Sequence, residues 1–130
     1  MAVDTIIANG IEAPTQFEIL TAAAFLFFKE QDVDYAVVEV GLGGLLDSTN
    51  IVTPKVSVIT NVTIDHQAYC GDTIEEIAHH KAGIIKSKIP VVTAAQDAPL
   101  RIIEEVAKEK HARVYAFNKD FGIDSRRSAV

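Results

Sequence analysis

Tyr35-Ala-Val-Val-Glu-Val-Gly-Leu-Gly-Gly-Leu-Leu-Asp-Ser-Thr-Asn50 is the stretch that sets the architecture. Its first part, Tyr35–Val40, is an apolar run carrying one carboxylate, Glu39, near its end. Gly41, Gly43 and Gly44 follow, then the polar group Asp47-Ser48-Thr49-Asn50. Continuous rather than alternating hydrophobicity marks a strand covered on both faces, as in a parallel sheet. Three further runs share this character: Val56–Thr60, Ile89–Thr93 and Ala112–Phe117.

Helical patterns lie between these runs. Thr15 and Glu18 stand in capping-box spacing, and Phe17, Leu20, Ala24, Phe27 and Phe28 recur at helical intervals, which predicts a largely buried helix from about Phe17 to Glu30. Thr73 and Glu76 repeat the signature and open a second helix, with Ile74, Ile77, Ala78, Ile84 and Ile85 on its inner side. A third opens at Pro99 and alternates Leu100, Ile102, Ile103 and Val106 with surface charges. This order predicts an α/β fold, a three-layer sandwich on a mostly parallel sheet with right-handed crossovers. Met1–Ala13 and Asp124–Val130 are expected to be frayed.

The 130 residues are 48% hydrophobic and 23% charged, enough apolar content for one core. A net charge of −6 gives no broad grip on a nucleic-acid backbone, so no nucleic-acid partner is expected. The single cysteine, Cys70, makes no intrachain disulfide and no Cys-rich metal cage, and reads as a small apolar packing residue. The apolar segment Ile19–Phe28 is far shorter than the roughly 18–20 residues of a membrane span, and Met-Ala-Val-Asp-Thr lacks a basic leader region. No membrane association is expected, and the cytoplasm is the expected location.

Chemistry concentrates at three places. In open parallel sheets ligands bind beyond the carboxyl ends of strands, so Glu39 with the Gly41–Asn50 loop is a candidate site. A GxGxxG dinucleotide loop is excluded because Leu46 stands where its third glycine belongs, and no Gly-x-x-x-x-Gly-Lys-[Ser/Thr] occurs in the chain. Thr60, Asn61, Asp65 and His66 follow the second run, an arrangement suited to a metal-phosphate site, although Mg²⁺ prefers oxygen ligands and His66 equally suits a hydrogen-bonding role. His79-His80-Lys81 lies in the second helix; adjacent histidines point about a hundred degrees apart and do not form a zinc pair. Lys81 beside the buried stripe is either a snorkelling lysine or a cation, or modified side chain, facing the ligand edge.

Thr15-Gln-Phe-Glu18, Glu39-Val-Gly-Leu-Gly-Gly44 with Asp47-x-Thr49-Asn50, Asn61, Asp65-His66, Gly71-Asp-Thr-Ile-Glu-Glu-Ile-Ala78 and Lys81-Ala-Gly-Ile-Ile-Lys86 together closely resemble the ATPase domain of folylpolyglutamate synthase / dihydrofolate synthase, in the Mur ligase superfamily. The resemblance runs from about Pro14 to Phe121. It implies ATP-dependent amide ligation, in which a folate or dihydropteroate carboxylate becomes an acyl phosphate that the amine of L-glutamate attacks. It places Glu39, His66 and Lys81 at Mg²⁺-site positions, Lys81 and His66 being catalytic and Lys81 matching a carbamylated lysine. It places Thr60 and Asn61 on the ATP side, and Gly43, Gly44, Asp47, Thr49 and Asn50 on the folate side. The chain departs from the pattern at Leu45, where arginine is usual, at His80, where glutamate is common, and at Cys70, where leucine is common.

The family's P-loop strand and helix precede the region matching Thr15, and a smaller domain follows the region matching Phe121. Residues 1–130 are therefore expected to be an internal fragment of the central domain, inactive alone and binding Mg-ATP weakly or not at all. Two rival readings stand beside this one. One is a non-catalytic remnant that self-associates through an exposed sheet edge as a binding or assembly module. The other is a fragment of a Mur-type amino-acid ligase, against which the Gly-Leu-Gly-Gly-x-x-Asp-x-Thr-Asn run argues.

Overall fold

Residues 2–65 and 67–123 are described by the computed structural model of the chain, which divides into two units, Met1–Glu39 and Val40–Val130. The expected tail 124–130 and His66 lie outside the described residues.

The first unit holds helix α1 (Ala2–Ala8), none of whose residues is buried, in the stretch expected to be frayed, and helix α2 (Gln16–Glu30). The Thr15 capping box closes as its spacing predicts. The Glu18 carboxylate accepts the Thr15 N–H at 2.7 Å, and the Glu18 N–H donates to the Thr15 hydroxyl at 3.2 Å. The Thr15 N–H, and then the Thr15 hydroxyl that donates to the same carboxylate at 2.9 Å, hold the Glu18 carboxyl below its ordinary range. The expectation that α2 is largely buried fails. Thr21 alone is buried, while Leu20, Leu26 and Phe27 are each more than half exposed. A helix apolar on all sides needs partners all round, and this unit offers only α1 and an extended segment.

That segment, 35–40, carries the first predicted strand. It is extended but pairs with no strand among the described residues, and Val37 is completely exposed. A strand needs a neighbour's backbone as well as an apolar sequence, and composition alone does not supply one.

In the second unit the other three runs form a parallel sheet, shorter than their sequence patterns. Strands β1 (Ser57–Ile59), β2 (Val91–Thr93) and β3 (Val114–Ala116) stand in the order β1-β2-β3. Ser57 is opposite Val91, and Val91 opposite Val114. Thr93 locks the centre, its buried hydroxyl donating to the Ile59 carbonyl at 2.8 Å and accepting the Ala95 N–H at 3.0 Å. Val58 alternates with buried Ser57 and Ile59 and is 52% exposed.

The connections are a 3₁₀ turn (Ser48–Ile51) before β1, helices α3 (Gln67–Cys70) and α4 (Ile74–Ala82) between β1 and β2, and α5 (Asp97–Glu109) between β2 and β3. The Thr73–Glu76 capping box starts α4 as expected. Helix α5 begins at Asp97, two residues before the predicted Pro99, because Gln96 is the extended residue that precedes it. Proline is tolerated there because first-turn N–H groups lack intrahelical partners anyway. Ile77, Ala78 and Ala82 from α4 and Ile103 and Ala107 from α5 join Val91 and Ala116 in a core at most 1% exposed.

Truncating Ile103 to Ala should destabilise the second unit by about 2–5 kcal/mol. Val37→Ser, at a position in full contact with solvent, should change stability by less than about 0.5 kcal/mol. Urea titration followed by circular dichroism separates the two outcomes.

Candidate functional site

The glycine-rich loop is built around one carboxylate. Asp47 precedes the 3₁₀ turn and accepts the Thr49 N–H at 2.9 Å and the Thr49 hydroxyl with one oxygen; its other oxygen accepts the Leu42 N–H at 2.8 Å. Partial burial pushes this carboxyl up, but the Thr49 hydroxyl and the N–H groups of Thr49, Leu42 and Gly41 outweigh it and hold the group below the usual aspartate range. Thr49 is buried, its hydroxyl committed to Asp47.

The loop is stapled to the last turn of α4. The Leu45 N–H donates to the His80 carbonyl at 2.9 Å. The Asn50 amide donates to the Leu45 carbonyl at 3.0 Å and the Gly83 carbonyl at 3.1 Å, and the Lys86 ammonium donates to the Asn50 carbonyl at 2.7 Å. Close approach explains the glycines. Gly43 has φ +68°, and a Cβ there would strike the His80 ring and fall 2.8 Å from Cys70 Sγ. A Cβ on Gly44 would lie 2.9 Å from Ile84 Cγ2 and 3.1 Å from the His80 carbonyl oxygen. Nδ1 of His80, facing Gly43, is buried without a hydrogen-bond partner among the described residues, which is unusual for a polar atom in a protein interior.

Gly43, Gly44, Asp47, Thr49, Asn50 and the α4 backbone at Lys81 thus form one assembly. The Asp47, Thr49 and Asn50 polar groups expected to face substrate serve the loop's own structure here. Lys81 is half-buried in the last turn of α4. Glu39 is exposed and ends the first unit. Among the described residues no three His, Cys, Asp or Glu side chains gather as a metal cluster.

Thr60 and Asn61 are exposed just past the carboxyl end of β1. Asn61 accepts the Val62 N–H at 2.8 Å and lines a cleft of ≈ 350 Å³ with Val62, Ala94, Gln96, Asp97 and Pro99. Sequence reasoning missed Gln96 and Asp97. The rule that sites lie beyond strand carboxyl ends points to them once it is applied to Ile89–Thr93 as well. Asp97 holds φ +53°, a left-handed conformation disfavoured for a non-glycine residue.

A family model of the Mur ligase middle domain matches residues 3–129. The chain belongs to the Mur ligase middle-domain family. This Mur ligase domain is 48% identical over 111 residues to folylpolyglutamate synthase of Lacticaseibacillus casei, covering 84% of this chain and 26% of that protein. It is 54% identical over 101 residues to dihydrofolate synthase/folylpolyglutamate synthase of Bacillus subtilis, covering 76% and 23% respectively. The chain therefore spans about a quarter of the length of these relatives. Among solved structures, the apo form of L. casei FPGS superposes with TM-score 0.88 at 40% identity, over 93% of this chain and 30% of that one. An FPGS–AMPPCP–folate complex gives TM-score 0.88 at 41% identity, over the same 93% and 30%.

Asp47→Ala should destabilise the loop by about 1 kcal/mol, the usual value of a lost cap. Because the Asp47 pKa is lowered by folding, its contribution is present above the ordinary aspartate value of about 3.9 and is lost as pH falls through the lower folded value. Amide exchange at Leu42 and Thr49 should accelerate in that acid window, and the acceleration should vanish in the variant. Gly43→Ala, strained in φ and blocked by His80, should lose about 1 kcal/mol or more in a thermal melt.

Proposed function

We propose that this chain is part of an ATP-dependent ligase that adds glutamate to folate or dihydropteroate. The observation that carries the reading is the glycine loop fastened to the last turn of α4 beside Lys81, in a chain matching folate ligases along most of its length. In this reaction the γ-phosphoryl of ATP passes to a carboxylate oxygen, giving an acyl phosphate and ADP. The glutamate amine then attacks the acyl carbon, the C–O bond to phosphate breaks, and an amide, inorganic phosphate and a proton are released. Such transfer depends mainly on positioning and charge neutralisation.

The Gly41–Asn50 loop is proposed to shape the folate side, with Thr60 and Asn61 toward ATP. Glu39, His66 and carbamylated Lys81 are carried forward as candidate holders of Mg²⁺, which when bound would offset phosphoryl charge; a carbamate supplies the oxygen donors this hard ion prefers. The cytoplasm is the proposed location.

A chimera tests this reading. Residues 3–129 would replace the matching segment of L. casei folylpolyglutamate synthase, with ATP-dependent glutamate addition to folate as the assay. The chimera should be active, and Lys81→Ala should lower its kcat by about 10²-fold or more. A folded chimera that binds ATP but adds no glutamate overturns the substrate assignment, and one indifferent to Lys81→Ala overturns that residue's role. The 130-residue chain itself, which contains no Gly-x-x-x-x-Gly-Lys-[Ser/Thr], should show no micromolar Mg-ATP affinity by calorimetry.

The exposed apolar side chains of the first unit favour a second reading, a non-catalytic assembly module that self-associates. A strictly monomeric sedimentation profile at high concentration counts against it.

A further inference from the structure

A second cleft, of ≈ 440 Å³, lies within the second unit at the amino ends of the strands, away from Thr60 and Asn61. Its place is set by the backbone: the Ser57 hydroxyl at the start of β1 donates to the Ile84 carbonyl at 3.1 Å, and the Lys88 N–H before β2 donates to the Lys110 carbonyl at 2.9 Å. The second of these bonds ties the turn carrying Lys86 to the end of α5 and brings Lys86 and Lys110 to one rim. His79 of α4 joins them, while Leu45, Ile85 and Val106 supply an apolar wall.

Charge makes this cleft unusual. The chain carries six more acidic than basic residues, yet among the described residues no Asp or Glu lines the cleft, and two lysines and a histidine do. Cations near helix ends often serve only to satisfy terminal carbonyls. Here backbone and amide donors already do so. The His80 carbonyl accepts from Leu45 and Gly83, the Lys81 and Ala82 carbonyls from Ile84 and Ile85, the Gly83 carbonyl from the Asn50 side chain, and the Val106, Ala107 and Lys108 carbonyls from Lys110, Ala112 and His111. Lys86 spends one of its three donors on the Asn50 carbonyl. Cationic capacity therefore remains beside an apolar wall, in a volume within the range of small-molecule sites.

We propose that this cleft binds a small organic anion, a carboxylate or phosphate monoester with a short apolar body. The charged head sits between Lys86, Lys110 and His79, and the body lies against Leu45, Ile85 and Val106. The cleft shares Leu45 and Asn50 with the Gly41–Asn50 loop but does not rest on the ligase reading, and it lies at the opposite end of the sheet from Thr60 and Asn61.

Phenyl phosphate and benzoate, titrated separately into the nitrogen-15-labelled 130-residue chain, test the proposal by amide shifts. Inorganic phosphate and uncharged benzyl alcohol serve as comparisons. Saturable shifts are expected at Leu45, His79, Lys86 and Val106 with at least one of the two aryl anions, and which one saturates at lower concentration decides between phosphate ester and carboxylate. Benzyl alcohol should give none there, and inorganic phosphate should bind more weakly than the better aryl anion. Lys86→Gln with Lys110→Gln should weaken binding about tenfold, the expectation for losing charge-assisted hydrogen bonds. Lys110→Gln alone, at an exposed side chain, preserves the fold and should still weaken binding measurably. No saturable shift with either aryl anion, shifts centred on Asn61 and Gln96, inorganic phosphate binding as tightly as the better aryl anion, or affinity unchanged by both sets of lysine replacements would each overturn the proposal.

Discussion

The structure of the second unit depends on one contact line, the seam between the glycine loop and the last turn of α4. The chain must travel from Val40 to the amino end of β1 without a helix to carry it, and a bare loop would leave its backbone groups unsatisfied. Asp47 solves this from within by gathering the Leu42 and Thr49 N–H groups, and Asn50 solves it from outside by bridging the Leu45 and Gly83 carbonyls. The glycines are required because the two backbones come closer than any side chain allows. Gly83 completes the fit, since a Cβ there would meet Leu45 Cα at 2.7 Å.

Leu45, His80 and Cys70, the three positions where the resemblance to folate ligases implies other residues, meet at this seam. Leu45 bonds to the His80 carbonyl, and Gly43 lies between the His80 ring and Cys70. The replacements are therefore neighbours in space although they are far apart in the chain. Among the described residues the His80 Nδ1 is buried at this contact without a hydrogen-bond partner. Residues in such direct contact are expected to couple energetically rather than to act independently.

Features set by neighbours in sequence were legible before any coordinates. Both capping boxes, Thr15–Glu18 and Thr73–Glu76, closed as their spacing required, because the chemistry is confined to four residues. The α/β order, the parallel pairing of three runs and membership of the Mur ligase family were readable for the same reason, as repeated local signals. What escaped needed distant partners. The burial of α2 and the pairing of 35–40 depend on surfaces that the first unit does not contain, and hydrophobicity reports the need for them and not their presence. The loop's polar residues were recognised as a group, but Asp47 is consumed by the loop's own N–H groups, and Asn50 is consumed by the Gly83 carbonyl more than thirty residues away. Gln96 and Asp97 carried no motif and emerged only from their place past β2.

The extended segment 35–40 has a consequence for handling the protein. Tyr-Ala-Val-Val-Glu-Val is short, rich in β-branched side chains, free of proline and glycine, and carries a single charge, with Val37 wholly in solvent and no strand among the described residues beside it. Such hexamers stack into cross-β ladders when many copies meet. Concentrating the chain alone will therefore favour fibrillar deposits that grow from this point, and a single lysine in place of Val37 would act as a gatekeeper against them without touching the core.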